Sequence, residues 1–267
     1  GEAVLTIPRV EEDTITVEVY AENYRTEKVE IATTMKDPTT VAMVPARGHA
    51  FVSKRSGTFD LYKTDVDGKN EAKIVAGSGL EREDALAVAS HSSKNIVAFL
   101  STRENTRNRD GFLLSTLLLV DLDTNETTKV TQSERIQIID WIGDRLVYVK
   151  ITEGASQADT NRHKIMSYDI RGGGERELAS TNYFNDVLSA NGAIYYSPAM
   201  YNVNGSVGLF KINPDATDRK TIYQKEVWNL FRTSYDTVSV SVGQDWFDLT
   251  LATDALDKAA GPPSVLK

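Results

Sequence analysis

One five-residue apolar pattern recurs along this 267-residue chain at nearly constant spacing. Ala50-Phe51-Val52-Ser53-Lys54 is its clearest copy. Similar segments begin at Ala3, Val97, Leu146, Ala193 and Val238, so successive copies stand 47, 47, 49, 47 and 45 residues apart. Self-similarity at a fixed period is the signature of a repeat architecture, because each repeat is one supersecondary unit that buries its apolar face only against the next.

Each unit carries the same further parts. An apolar or alternating segment precedes the repeated strand (B) and reads as strand A: Val41 to Pro45, Ala85 to Ser90, Ile136 to Trp141, Phe184 to Ser189 and Trp228 to Thr233. Strand C follows a loop of variable length: Ile15 to Ala21, Phe59 to Asp65, Thr116 to Leu122, Lys164 to Ile170, Val207 to Asn213 and Trp246 to Ala252. Strand D is short and polar: Lys28 to Thr33, Ala72 to Ala76, Thr128 to Thr131, Arg176 to Ala179, Lys220 to Tyr223 and Ser264 to Leu266. Turn chemistry separates C from D, as in Asp67-Gly68-Lys69-Asn70 and Asn213-Pro214-Asp215, where Gly and Asn accept positive φ and Pro presets its own. Four strands repeated with a period in the forties predict an all-β chain, a β-propeller of six four-stranded blades. Strands A and B are apolar enough to lie between blades, while polar strand D suits an outer edge.

The expected organisation is a single propeller domain over residues 1–267. Six B strands stand against five A strands, so one inner strand is missing, and polypeptide outside the chain is the expected source. Residues 1–34 are either an incomplete first blade or a small separate β unit.

The pairing of Ala50-Phe51-Val52-Ser53 with Asp60-Leu61-Tyr62-Lys63-Thr64-Asp65-Val66-Asp67-Gly68 resembles the repeat of TolB-like β-propellers, as does Val97 to Ser101 with Leu119 to Asp123. The A–B turns depart from that family's usual Pro-Asp-Gly, so the resemblance is to the superfamily and to no particular member. It implies an extracytoplasmic location, periplasmic or at the cell surface, with membrane attachment only through a segment outside this chain.

Composition narrows the function classes. The formal net charge of −8 opposes a nucleic-acid partner, whose phosphates need a concentrated positive surface. The chain has no cysteine, so disulfides and thiolate sites are excluded. No apolar run approaches the roughly 18 residues of a membrane helix. His49, His91 and His163 lie in different units without ligand spacing, so no metal is expected. The run Asp65 to Glu71 is too short for a calcium loop. Gly172-Gly173-Gly174 opens no helix and so is no phosphate loop. No cofactor is implied.

The B–C connections of three consecutive units are long, and in a propeller they share a face. Loops on a rigid scaffold are where recognition residues sit. The candidate binding residues on that face are Arg103, Arg107, Arg109, Phe112, Arg162, His163, Tyr201 and Asn204. Solvated insertions, with the arginines paired to Glu104 and Asp110, are the plain alternative. Carboxylates that might line the channel are Asp60, Asp84, Asp140 and Asp186, with Asp140 and Asp186 on strand A. No Glu occupies a matching acid position and no Gly-x-Ser-x-Gly elbow occurs. The main expectation is therefore a non-catalytic scaffold, not an enzyme, that recognises a protein, peptide or envelope ligand. The alternative is a carbohydrate-active or other hydrolytic propeller using channel carboxylates.

Overall fold

The computed structural model describes residue 4 and residues 12–35, 37–199 and 207–264. Among them, strands β1 (Thr14–Val19) and β2 (Glu27–Ala32) form a two-stranded sheet. A three-stranded sheet follows: β3 (Gly48–Ser53), β4 (Asp60–Asp65) and β5 (Ala72–Val75). Four four-stranded sheets complete the chain. They are β6 (Ala87–Ser90), β7 (Ile96–Ser101), β8 (Ser115–Asp121) and β9 (Thr127–Ser133); then β10 (Ile136–Ile142), β11 (Arg145–Ile151), β12 (His163–Asp169) and β13 (Gly174–Thr181). Next come β14 (Phe184–Ala190), β15 (Ala193–Pro198), β16 (Leu209–Ile212) and β17 (Lys220–Tyr223); last are β18 (Asn229–Arg232), β19 (Thr237–Val242), β20 (Asp245–Thr250) and β21 (Ala255–Lys258). Every pairing is antiparallel and joins strands consecutive in sequence. The inner strands β6, β10, β14 and β18 neighbour one another in order. The chain is a β-propeller; among the described residues it has six sheets, the first of two strands and the second of three.

The repeated strand is apolar on both faces for a physical reason. Side chains alternate across a strand. Val97 and Phe99 of β7, with Leu118 and Val120 of β8, pack toward Leu61 and Val75 of the preceding blade. Ala98 and Leu100, with Leu117 and Leu119, pack toward Leu146, Tyr148 and Met166 of the following blade. The next two seams repeat the arrangement, one centred on Ile194 and Tyr196 and the other on Tyr195 and Val240.

Two expectations about strands change, and a third falls outside the described residues. Val41 to Pro45 makes no ladder; its end is taken up by the β1–β2 hairpin tip, where Tyr24 bridges Pro45 and the Arg25 N–H donates to the Val44 carbonyl. The last blade's outer strand is Ala255–Lys258, reached by a tight turn at Thr250–Asp254; Ser264 is not in it, and residues 265–266 lie outside the described residues. The repeated segment beginning at Ala3 lies outside the described residues, Val4 excepted. The Asp-Gly turn after β4 owes its acidity to a partner in chain, since the Arg25 guanidinium spans Asp65 and Asp67, the latter at 3.1 Å.

Candidate functional site

The long loops of the third and fourth blades lie within the described residues, and many of their polar groups are spent internally. Between β7 and β8, Asn108 is buried; its Oδ1 accepts the N–H groups of Asp110 and Phe112 at 3.0 and 2.9 Å, closing a small hairpin with a bridge between Arg107 and Leu113. Arg107 donates to the Gly111 carbonyl and Arg103 to the Ala76 carbonyl and Glu104. At the hairpin tip Arg109 and Phe112 stand exposed, Arg109 only loosely near Asp110 at 3.9 Å. Tyr201 and Asn204 lie outside the described residues.

Asp140 and Asp186 occupy equivalent places, each immediately after a β-bulge in an inner strand. Each carboxylate caps the next residue's N–H, Trp141 and Val187 respectively, at 2.8 Å. Each also reaches the neighbouring inner strand: Asp140 accepts from the Ser189 hydroxyl, and Asp186 accepts from the Leu230 N–H at 2.8 Å. They clip successive blades together at the channel. Asp60 is fully buried and accepts from the Gly77 N–H, the Ser56, Thr58 and Tyr62 hydroxyls and Lys73, which together hold its carboxyl far below the usual carboxylate range. It ties its own blade's strands and offers no free oxygen to a channel. Asp84 is exposed and paired with Arg82.

A cavity of about 200 Å³ opens between the inner ends of the fourth and fifth blades. Arg135, Gln137, His163, Tyr183, Asn185 and Asp186 give it its polar lining, and Val149, Ile151, Phe184 and Val187 its apolar wall. Arg135 and Tyr183 each stand one residue before an inner strand, and each carbonyl accepts an N–H from the following strand, Ile151 and Ala199, at 3.0 Å. The fold therefore places them by register at the loop-bearing end of the channel. Among the described residues Arg135 is exposed and makes no ion pair.

His163 opens β12 and is buried against Tyr183, ring centroids 5.2 Å apart. The Arg162 Nη1 lies 2.7 Å from its Nε2. A guanidinium only donates, so this nitrogen accepts and the ring is neutral, with its proton on Nδ1. Burial, reinforced by Arg162 and Arg135, pushes its pKa down to about 4. Asp186 moves the other way: burial raises its pKa, against the partial opposition of the Leu230 and Val187 N–H groups. The cavity thus joins a neutral histidine, a guanidinium that makes no ion pair among the described residues, and one carboxyl of raised proton affinity. Among the described residues no group of three histidines or carboxylates converges to hold a metal ion.

His163, singled out from sequence for the loop face, and Asp186, singled out for the channel, both line this cavity. Arg135, Gln137, Tyr183 and Asn185 were not foreseen, although their constant positions, one residue before and the second residue within each inner strand, were a usable signal. A larger cavity, about 320 Å³, lies on the opposite face beside Arg25, Arg47 and Lys63. Its cations are committed to Asp65 and Asp67, to the His91 and Ser92 carbonyls, and to the Leu122 carbonyl respectively.

No family model matches the chain, and no curated protein does. Solved structures do. Oligogalacturonate lyase from Vibrio parahaemolyticus is similar at 13% identity and a TM-score of 0.50, over 81% of this chain and 62% of that one. The propeller domain of the Trilobed protease from Pyrococcus furiosus, described as having an open velcro topology, gives 8% identity and a TM-score of 0.54 over 79% and 66%. TolB from Acinetobacter baumannii gives 13% identity and a TM-score of 0.44 over 94% and 64%. The chain spans about three fifths of the length of the oligogalacturonate lyases it resembles. At such identities the likeness establishes the fold, a propeller among whose relatives in shape TolB is found. The expectation of a non-catalytic scaffold is corrected. Oligogalacturonate lyases, which are enzymes, stand among the similar structures, so this fold gives no ground for reading the chain as a binding module without activity. Sequence reasoning erred by treating the lack of a paired acid as the lack of any chemistry. No helix among the described residues is long and apolar enough to cross a membrane.

Proposed function

We propose that the chain is a carbohydrate-active propeller that holds the carboxylate of an acidic sugar on Arg135 and uses Asp186 as the base beside it. The observation that carries this reading is the juxtaposition of the exposed Arg135 guanidinium, without an ion pair among the described residues, and a half-buried carboxyl in one small cavity at the channel mouth. Hydrolysis by the common route uses two carboxylates flanking the bond. Among the described residues Asp186 is the single carboxylate lining this cavity, a set better suited to elimination. Asp186 would take the proton from the carbon next to the sugar's carboxylate, and Arg135 would stabilise the charge that develops on that carboxylate. The bond to the leaving sugar oxygen then breaks, a carbon–carbon double bond forms, and water at the open mouth protonates the leaving oxygen. Both oxygens of Asp186 already accept one N–H, but each has a further lone pair, and burial keeps its proton affinity high. The oligogalacturonate lyase likeness supplies a precedent for such chemistry on this fold and nothing finer.

The test is incubation with short oligomers of several uronic acids, following the ultraviolet absorbance of the new double bond. Turnover is expected, falling about a hundredfold or more in Asp186→Asn. No unsaturated product from any uronate, or a variant as fast as the parent, would overturn the reading. An extracytoplasmic location accompanies this proposal and is supported by the repeat's resemblance; recovery of the full-length protein in the cytosolic fraction would count against it.

A further inference from the structure

The residue before each inner strand falls, by register, on the rim of the loop-bearing face. In three consecutive blades these residues are Arg135, Tyr183 and Trp228, spaced 48 and 45 residues apart. Arg135 is exposed, and Tyr183 and Trp228 are 43% and 53% exposed, unusual for large rings at the foot of a buried strand. The two aromatic positions are tied to one another. The Asn185 amide donates to the Glu226 carboxylate at 3.1 Å and to the Val227 carbonyl at 2.9 Å, binding the start of β14 to the connection that carries Trp228. The Trp228 N–H is itself held by the Ser241 carbonyl at 3.0 Å. Tyr183 is packed on His163, inside the cavity just described. The rim therefore runs from a cation, through an aromatic ring at the cavity, to a second aromatic ring one blade further on.

We propose that this rim is an extended glycan-binding track, taking an acidic oligosaccharide of more than one unit, with its terminal uronate at Arg135 and the following sugars against Tyr183 and Trp228. The proposal rests on the functional reading above and adds the direction and length of the substrate. Three features support it. The cavity, at about 200 Å³, falls below the roughly 300–1,000 Å³ typical of small-molecule sites, so it suits one sugar ring while the rest of the chain runs outside. Sugar rings present apolar C–H faces that pack on aromatic faces, and Tyr and Trp carry polar edges that tolerate the wet surroundings. The overall charge of −8 disfavours long polyanions, leaving one local guanidinium to select a short acidic chain by its end.

The experiment is titration of the 267-residue chain with a uronic acid monosaccharide and with its trimer, followed by calorimetry and by tryptophan fluorescence. The trimer should bind about tenfold more tightly than the monosaccharide, as one well-formed ring contact supplies. Trp228→Ala should bring the trimer down to the monosaccharide's affinity, and Trp228→Phe should restore most of the gain. A trimer no tighter than the monosaccharide, or one whose advantage survives Trp228→Ala, overturns the track while leaving the Arg135 cavity standing. Failure of both ligands to bind overturns the track and the functional reading together. The Trp228→Phe arm separates loss of stacking from loss of fold.

Discussion

His163 illustrates how much a single side chain's surroundings decide. Its ring is neutral because burial and two nearby guanidinium groups oppose a charge, and its folded-state pKa of about 4 lies below the ordinary 6.5. The unfolded chain therefore binds more protons between those values, so the stability tied to this group is complete above pH 6.5 and is lost as the pH falls toward 4. The slope should reach about 1.4 kcal/mol per pH unit. Urea midpoints measured across that window should show it, and His163→Gln, which keeps a polar side chain without the titration, should flatten it. An equal slope in the variant would assign the acid sensitivity elsewhere. At this scale the sequence was only partly legible. His163 and Asp186 stood out by residue type and position. Arg135 and Tyr183 did not, because attention fell on long loops, whereas both sit in short D–A connections where the register of the inner strand, and no local motif, brings them to the cavity. Asp60 was misleading in the opposite way: a carboxylate near a strand start reads as available until its five partners are known.

At the scale of elements, the loop between β7 and β8 shows why length is a poor guide to function. Its hairpin is built around buried Asn108, whose side chain does the work of a missing backbone ladder, and whose Nδ2 reaches Glu134 at 3.3 Å. Glu134 also accepts the Gly154 N–H, so the loops of the third and fourth blades share one carboxylate. Asn108→Ala leaves two N–H groups without their acceptor, at a cost of about 1–3 kcal/mol locally. Limited trypsin digestion should then cut after Arg107 and Arg109 several-fold faster than in the parent, with the far-ultraviolet dichroism unchanged; equal cutting rates would mean that the hairpin is held by something else. The strands themselves were highly legible, because a four-strand meander writes its period directly into the spacing of its most apolar segment. Where the reading slipped, at Val41 to Pro45, apolar and β-branched composition was present but the ladder partner was not. Strand propensity reports fitness for a pleated surface and cannot supply the neighbour.

For the whole molecule, stability resides in the seams between blades. Phe99 is fully buried and serves the seam between the second and third blades. Phe99→Ala should cost about 3–5 kcal/mol and lower the denaturation midpoint of the β3–β9 region; a loss below about 1 kcal/mol would show that this seam collapses around the cavity or is not a principal core. The clips made by Asp140 and Asp186 across the channel belong to the same scale, since each links one inner strand to the next. The alternation of side chains in β7 and β8 has a further consequence for how such a protein is born. The third, fourth and fifth blades each serve two cores, and among the described residues the sheet pairings join consecutive strands, so structure accrues in the order of synthesis. A ribosome adds roughly 5–20 residues per second, so each newly closed blade waits about 2–10 s for the next, some 47 residues later, with one oily face bare. The nascent chain thus passes through a series of sticky intermediates whose lifetimes are set by translation speed.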